Sequence, residues 1–257
     1  MNFMLLFGLA ISLFSIAVGV PGLLDNLDLY VDPYSFLLVL GGTVGAAMIS
    51  ASFRDFKAVL AVLSGWMYMK RKVTKKELAV QKIVEVAEAA SRSGKASVLE
   101  MGKGFGDGFL DRSLELMGSG LELDFVRNAL ETNIFEGKRR HARIVTLVRS
   151  MGSFAPMFGM MGTVIGVIQV LQNVQDINAV VAGMSLALMT TLYGTVLSSL
   201  LFVPIANKLQ SFSEEEALNK EMMMEGVLAI MDNQIPLKVE KLLHSYLSSK
   251  AKSKKAK

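Results

Sequence analysis

The sequence predicts an all-α integral membrane protein with four transmembrane helices in two hairpins and a helical cytoplasmic domain. Three observations lead there. Apolar residues make up 52% of the 257 residues, with a mean hydropathy of +0.43. Residues 1–24, 33–53, 150–175 and 177–207 contain no Lys, Arg, Asp or Glu. The basic residues that flank those stretches all fall on the same side of them. A helix of roughly 20 residues, rising about 1.5 Å each, crosses the hydrocarbon core, and all four stretches reach that length. In lipid the backbone must satisfy its own hydrogen bonds, so each stretch is expected to be helical.

The first hairpin is placed at 1–53, around a short acidic outer loop at 25–32 that holds Asp25, Asp28 and Asp32 and no basic residue. Its first span is read as retained, because no basic segment precedes it and Val20-Pro21-Gly22 runs on into further apolar residues. The second hairpin is placed at 149–207, with a tight turn near Asn173 to Asn178. Lys70, Arg71, Lys72, Arg139, Arg140, Arg149 and Lys208 flank the other ends of the spans. Basic residues mark the cytoplasmic side, so both short loops are expected outside and both termini inside. Between the hairpins, 54–148 is expected to be a helical cytoplasmic domain, and 208–257 a helical tail with a basic end.

Within 54–148, Leu78, Ile83, Val86, Ala87 and Ala90 repeat at helical spacing, with Gly94 as the stop signal. The alternating glycines of 102–108 follow no strand and precede no Gly-Lys-Ser/Thr, so they read as a turn and not as a phosphate loop. The tail near Pro236 is expected to break its helix. His141 and His244 stand alone without metal-ligand spacing, and the chain has no cysteine. No catalytic constellation emerges, so an enzyme is the weakest class. Neither a cofactor nor a nucleic-acid partner is expected.

The membrane spans carry three signals. Small residues form stripes at steps of three and four: Gly159, Gly162 and Gly166 on the third span, and Ala187, Gly194 and Ser198 on the fourth. Such stripes let helices approach closely in lipid. Gly41 and Gly45 form a further GxxxG in the second span. Thr163, Thr190 and Thr191 lie mid-span, and two readings stand for them. Each hydroxyl bonds back to a carbonyl one turn earlier, or the oxygens replace water around a passing cation. Finally, no span contains Asp, Glu, His, Lys or Arg, so ion transport by this chain requires an acid from a partner.

The order of hairpin, long loop, hairpin and tail resembles the A subunit of bacterial flagellar stators, the MotA/PomA family. The resemblance rests on Phe154-Ala-Pro-Met-Phe-Gly-Met-Met-Gly-Thr-Val-Ile-Gly166, Met189-Thr-Thr-Leu-Tyr-Gly194, Leu201-Phe-Val-Pro-Ile-Ala-Asn-Lys208, Leu38-Val-Leu-Gly-Gly-Thr43 and Met224-Glu-Gly-Val-Leu-Ala-Ile230. It implies a homopentamer in the bacterial inner membrane around two copies of a single-span B subunit (MotB/PomB type) that supplies the intramembrane aspartate. Ion flow past that acid would turn the ring against the rotor's switch-complex protein. Pro156 and Pro204 match the family's coupling prolines. The stripes, with Tyr193, would then face the partner helices and neighbouring copies. Thr163 and Thr190 match positions where sodium-type members carry hydroxyls, so transported Na+ is favoured over H+. Arg92 and Glu100 match rotor-contact charges, with Lys95 a substitute for charges that the family usually carries nearby. An ExbB/TolQ-type subunit, typically with three spans, and a stand-alone channel are the rival readings.

Overall fold

The computed structural model describes residues 3–19, 27–65 and 76–247. The flanking bases Lys70, Arg71 and Lys72, the acid Asp25, the Val20-Pro21-Gly22 motif and the basic tail from Lys250 lie outside these residues. Among the described residues there are helices and turns and no strand. The helices are α1 (Phe3–Gly19), α2 (Pro33–Ser50), α3 (Phe53–Gly65), α4 (Lys76–Ser93), α5 (Phe109–Gly118), α6 (Leu123–Gln172), α7 (Ile177–Val196), α8 (Val203–Met231) and α9 (Pro236–His244). A π turn, Leu197–Phe202, joins α7 to α8 without a break.

Three helical stretches are long and apolar enough to cross a membrane: Asp28–Ser50, Leu123–Gln172 and Ile177–Met231. The described part of the first expected span, α1, is uncharged throughout but 17 residues long, which is about 25 Å. The expected boundaries at 148/149 and 207/208 are not breaks in the chain's path, since α6 and α8 run straight through them.

The chain divides into two compact units. The first comprises residues 1–70 and 142–210. Asp32 opens α2 as its N-cap, accepting from the N–H groups of Tyr34 and Ser35, with Pro33 in the first turn. Asp176 caps α7 in the same way through Asn178. Val39 and Ala47 of α2, Phe56 and Val59 of α3, Val148, Met151 and Ala155 of α6, and Phe202, Ile205 and Ala206 form one buried cluster. Asp55 reaches Arg143 at 3.6 Å within this unit.

The second unit comprises residues 71–141 and 211–257. Ile83 of α4, Leu110 and Leu114 of α5, Leu130 of α6, Met222, Met223 and Leu228 of α8, and Leu243 of α9 are buried together. The expected apolar face of α4 holds at Ile83, Val86 and Ala87, but Leu78 is exposed and Ala79 and Val80 are buried in its place. Gly226 is needed where α8 meets α4, because a Cβ there would lie 2.6 Å from Ile83 Cγ2. Gly94 ends α4 at φ +86°. Gly104, Gly106 and Gly108 also have positive φ, as the turn reading requires. Burial, then the carboxylates of Glu225 and Glu221, raises the Tyr246 phenol above the ordinary tyrosine range.

Candidate functional site

The second hairpin, α6 with α7, is built by its small residues. A Cβ on Gly166 would lie 2.4 Å from the Gly183 carbonyl oxygen, and one on Gly183 would lie 2.8 Å from the Gly166 oxygen. A Cβ on Gly162 would meet Thr190 Oγ1 at 2.4 Å, one on Gly159 the Thr190 carbonyl at 2.9 Å, and one on Gly194 the Ala155 carbonyl at 2.6 Å. The two stripes therefore face each other, which corrects the expectation that Gly159, Gly162, Gly166, Ala187 and Gly194 face partner helices. Spacing identifies a face of a helix, and here each face is covered from within the chain.

The hairpin's outward surface is apolar. Met160, Val164, Val167 and Leu171 on α6, and Val181, Met184, Leu188 and Leu192 on α7, are all exposed. The first hairpin covers only part of this length. Tyr193 takes part in that contact: its hydroxyl donates to the Tyr30 carbonyl at 2.6 Å and accepts from the Asp32 N–H at 2.7 Å. Its ring meets Phe36 edge to face at 5.9 Å. Ile177 to Tyr193 is about 24 Å of helix, so the first loop joins α7 about that far from the helix's N-terminal end. The two short loops, expected on one side, are not level. Tyr193 was expected to face a partner, whereas it fastens the two hairpins of its own chain.

All three threonines donate into their own helices: Thr163 to Met160 at 2.6 Å, Thr190 to Leu186 at 2.8 Å and Thr191 to Ala187 at 3.2 Å. A hydroxyl used this way still has oxygen lone pairs to offer. Thr190 is fully buried beneath Gly162, while Thr163 and Thr191 are half-buried. Ser198 donates across the hairpin to the Gly152 carbonyl at 2.6 Å. Pro156 interrupts the hydrogen-bond ladder of α6, and Pro204 stands in the first turn of α8.

In the second unit, Arg92 and Glu100 project into solvent, with side chains 79% and 83% exposed, and pair locally with Glu88 at 3.5 Å and Lys103 at 3.0 Å. Lys95 differs. Its Nζ donates to the Met231 carbonyl at 2.7 Å, closing the C-terminal end of α8. Lys95→Met is expected to lower the stability of this unit by about 1 kcal/mol, read as faster amide exchange at the end of α8. Unchanged exchange would show that the contact contributes nothing. Among the described residues, no cluster of His, Asp and Glu could hold a metal ion.

The model of the MotA/TolQ/ExbB proton channel family matches residues 103–222. The chemotaxis protein PomA of Vibrio alginolyticus is 34% identical over 223 residues, 87% of each chain. This chain belongs to that family, on its MotA/PomA side. The motility protein A of Borreliella burgdorferi is 29% identical across 98% of the chain and 96% of its own length. The solved flagellar MotAB stator complex from Bacillus subtilis superposes with a TM-score of 0.86 at 27% identity, covering 98% of both chains. The C. jejuni MotAB structure shares the fold, with a TM-score of 0.86 at 22% identity over 97% of both chains.

For a MotA-type chain, three features were beyond sequence reasoning: the mutual packing of the stripes, the Tyr193 bridge and the inward turn of Lys95. Each depends on residues far apart in the chain. The capping roles of Asp32 and Asp176, by contrast, had a local signal, an acid directly before an uncharged helix.

Proposed function

We propose that this chain is the A subunit of an ion-driven flagellar stator, lying in the bacterial inner membrane with both termini in the cytoplasm. Five copies would surround two copies of a single-span B subunit. The observation that carries this reading is a pairing of facts. The chain resembles PomA along most of its length, and its membrane hairpin has a largely apolar surface with no Asp, Glu, His, Lys or Arg from Ser150 to Gln175 or from Ile177 to Asn207. An ion pathway along that surface needs an acid, and a B-type helix that carries one would supply it. The exposed Arg92 and Glu100 suit contact with a charged rotor protein, where they would act through complementary charge.

Sodium is the proposed coupling ion. Oxygen ligands suit it, and Thr163 and Thr191 offer oxygen at the hairpin surface. Thr190, buried under Gly162, supports the path by holding α6 and α7 together.

The experiment is swimming speed in a stator-less flagellated cell that expresses this chain with a B subunit, at fixed pH and varied external sodium. Speed is expected to rise with sodium. Thr163→Ala is expected to raise the sodium needed for half-maximal speed by about fivefold, the effect of losing one oxygen contact. Speed flat in sodium at fixed pH would move the coupling ion to the proton. No motility with any B subunit would remove the stator reading and leave the ExbB/TolQ-type role.

A further inference from the structure

Pro156 removes one rung from α6. Proline has no N–H, so the carbonyl four residues earlier, that of Gly152, loses its α-helical donor. Another helix fills the vacancy: the Ser198 hydroxyl donates to the Gly152 carbonyl at 2.6 Å. Ser198 lies in the π turn Leu197–Phe202, and its own carbonyl accepts the Val203 N–H, the last donor before Pro204. Its hydroxyl serves the carbonyl that Pro156 leaves without a donor, and its own carbonyl is held by the Val203 N–H within the π turn.

The approach that makes this possible is close. A Cβ on Gly152 would meet Val203 Cγ2 at 3.0 Å, and one on Gly194, a turn before Ser198, would lie 3.2 Å from the Pro156 Cα. Neighbouring hydroxyls do not share the role, because Thr195 and Ser199 donate into their own helix. A π turn inside a helix often marks a working part of a protein.

We propose that Ser198 is a positioning residue for the turn of α6 that Pro156 interrupts. Its hydroxyl stands in for the missing backbone donor and sets the register between α6 and the helix that returns along it. Movement of α6 at this turn as ions pass breaks and remakes this one bond. The last step rests on the stator reading, while the bond's role in holding this turn does not.

The test is a double-mutant cycle on the purified full-length chain, read as melting temperature. Pro156→Ala restores an N–H opposite the Gly152 carbonyl and makes the serine redundant. Ser198→Ala is therefore expected to lower the melting temperature by about 2–4 °C in the native background and by nothing measurable beside Pro156→Ala. Equal losses in both backgrounds would overturn the proposal, since the hydroxyl would then merely pack. If Pro156→Ala yields no folded protein, Ser198→Thr decides. It keeps the hydroxyl and is expected to melt like the native chain, and a loss equal to that of Ser198→Ala overturns the proposal. In swimming cells, Ser198→Ala is expected to cut maximal speed by about fivefold, the factor for losing one hydrogen bond, with the half-saturating sodium concentration unchanged. Full speed beside a coupled melting cycle would overturn the role in movement. The melting readout does not depend on motility, so failure of the stator reading leaves it intact.

Discussion

Gly166→Leu is expected to open the second hairpin and abolish swimming. The obstacle is backbone on backbone: the Gly166 Cβ would lie 2.4 Å from the Gly183 carbonyl oxygen, and the reciprocal Cβ 2.8 Å from the Gly166 oxygen. No rotamer relieves a clash at Cβ, so the helices must separate toward the ordinary spacing of about 8–10 Å. Overpacking a well-filled site costs about 1–3 kcal/mol, and with rigid backbone on both sides the cost is expected at the top of that range. The damage also travels, because separation at Gly166 lifts Gly162 off Thr190 and Gly159 off the Thr190 carbonyl. Gly45 supplies the control. A Cβ there meets nothing within 4 Å in the chain, and Gly45→Ala gains helix propensity of about 1 kcal/mol. Thermal unfolding of the purified chain should fall steeply for Gly166→Leu and hold or rise for Gly45→Ala. A native melting temperature for Gly166→Leu would mean that these two glycines do not close the hairpin.

The contrast between the two GxxxG pairs marks how far the sequence could be read. Residue spacing placed Gly162 and Gly166 on one face, and did the same for Gly41 and Gly45. Period alone could not say that the first pair meets α7 while the second has open space at Gly45. The spans were legible because lipid imposes a strong compositional rule, uncharged for about 20 residues. The ends of α6 were not, because the loss of charge after Arg149 marks a change of solvent and not of backbone, and the helix continues for 50 residues through it. Lys95 was read as a surface charge for a similar reason. Its partner is a backbone carbonyl, and the sequence near Met231 gives no sign that a lysine 136 residues earlier will reach it. Ser198 stood in a small-residue stripe, where its size was visible and the carbonyl it serves was not.

Phe202→Ala is expected to have the other large effect, about 3–5 kcal/mol by the usual cost of truncating a buried phenylalanine. Phe202 is 1% exposed and belongs to the cluster that joins α2, α3, α6 and α8. Part of that cost normally reflects transfer from water, and this weakens wherever the separated helices remain in lipid. The cavity part persists, because nothing refills a closed site, so the lower end of the range is the firmer expectation. Phe14→Ala, at a position 68% exposed in the chain, makes the comparison. It should leave the melting temperature of the purified chain within a degree or so, as surface substitutions do. Equal losses for the two would mean that Phe202 is not a core residue. The position also bears on the turn that Pro156 interrupts. Phe202 ends the π turn that holds Ser198, and its Cβ lies 3.4 Å from a Cβ built at Gly152. One hydrogen bond contributes about 1 kcal/mol, well below the value of the ring. Phe202 therefore sets whether α6 and α8 stay together at this crossing, and Ser198 sets the register in which they meet. Phe202→Ala should accordingly erase the melting difference between Ser198 and Ser198→Ala, because a crossing that has loosened no longer holds the hydroxyl at its carbonyl.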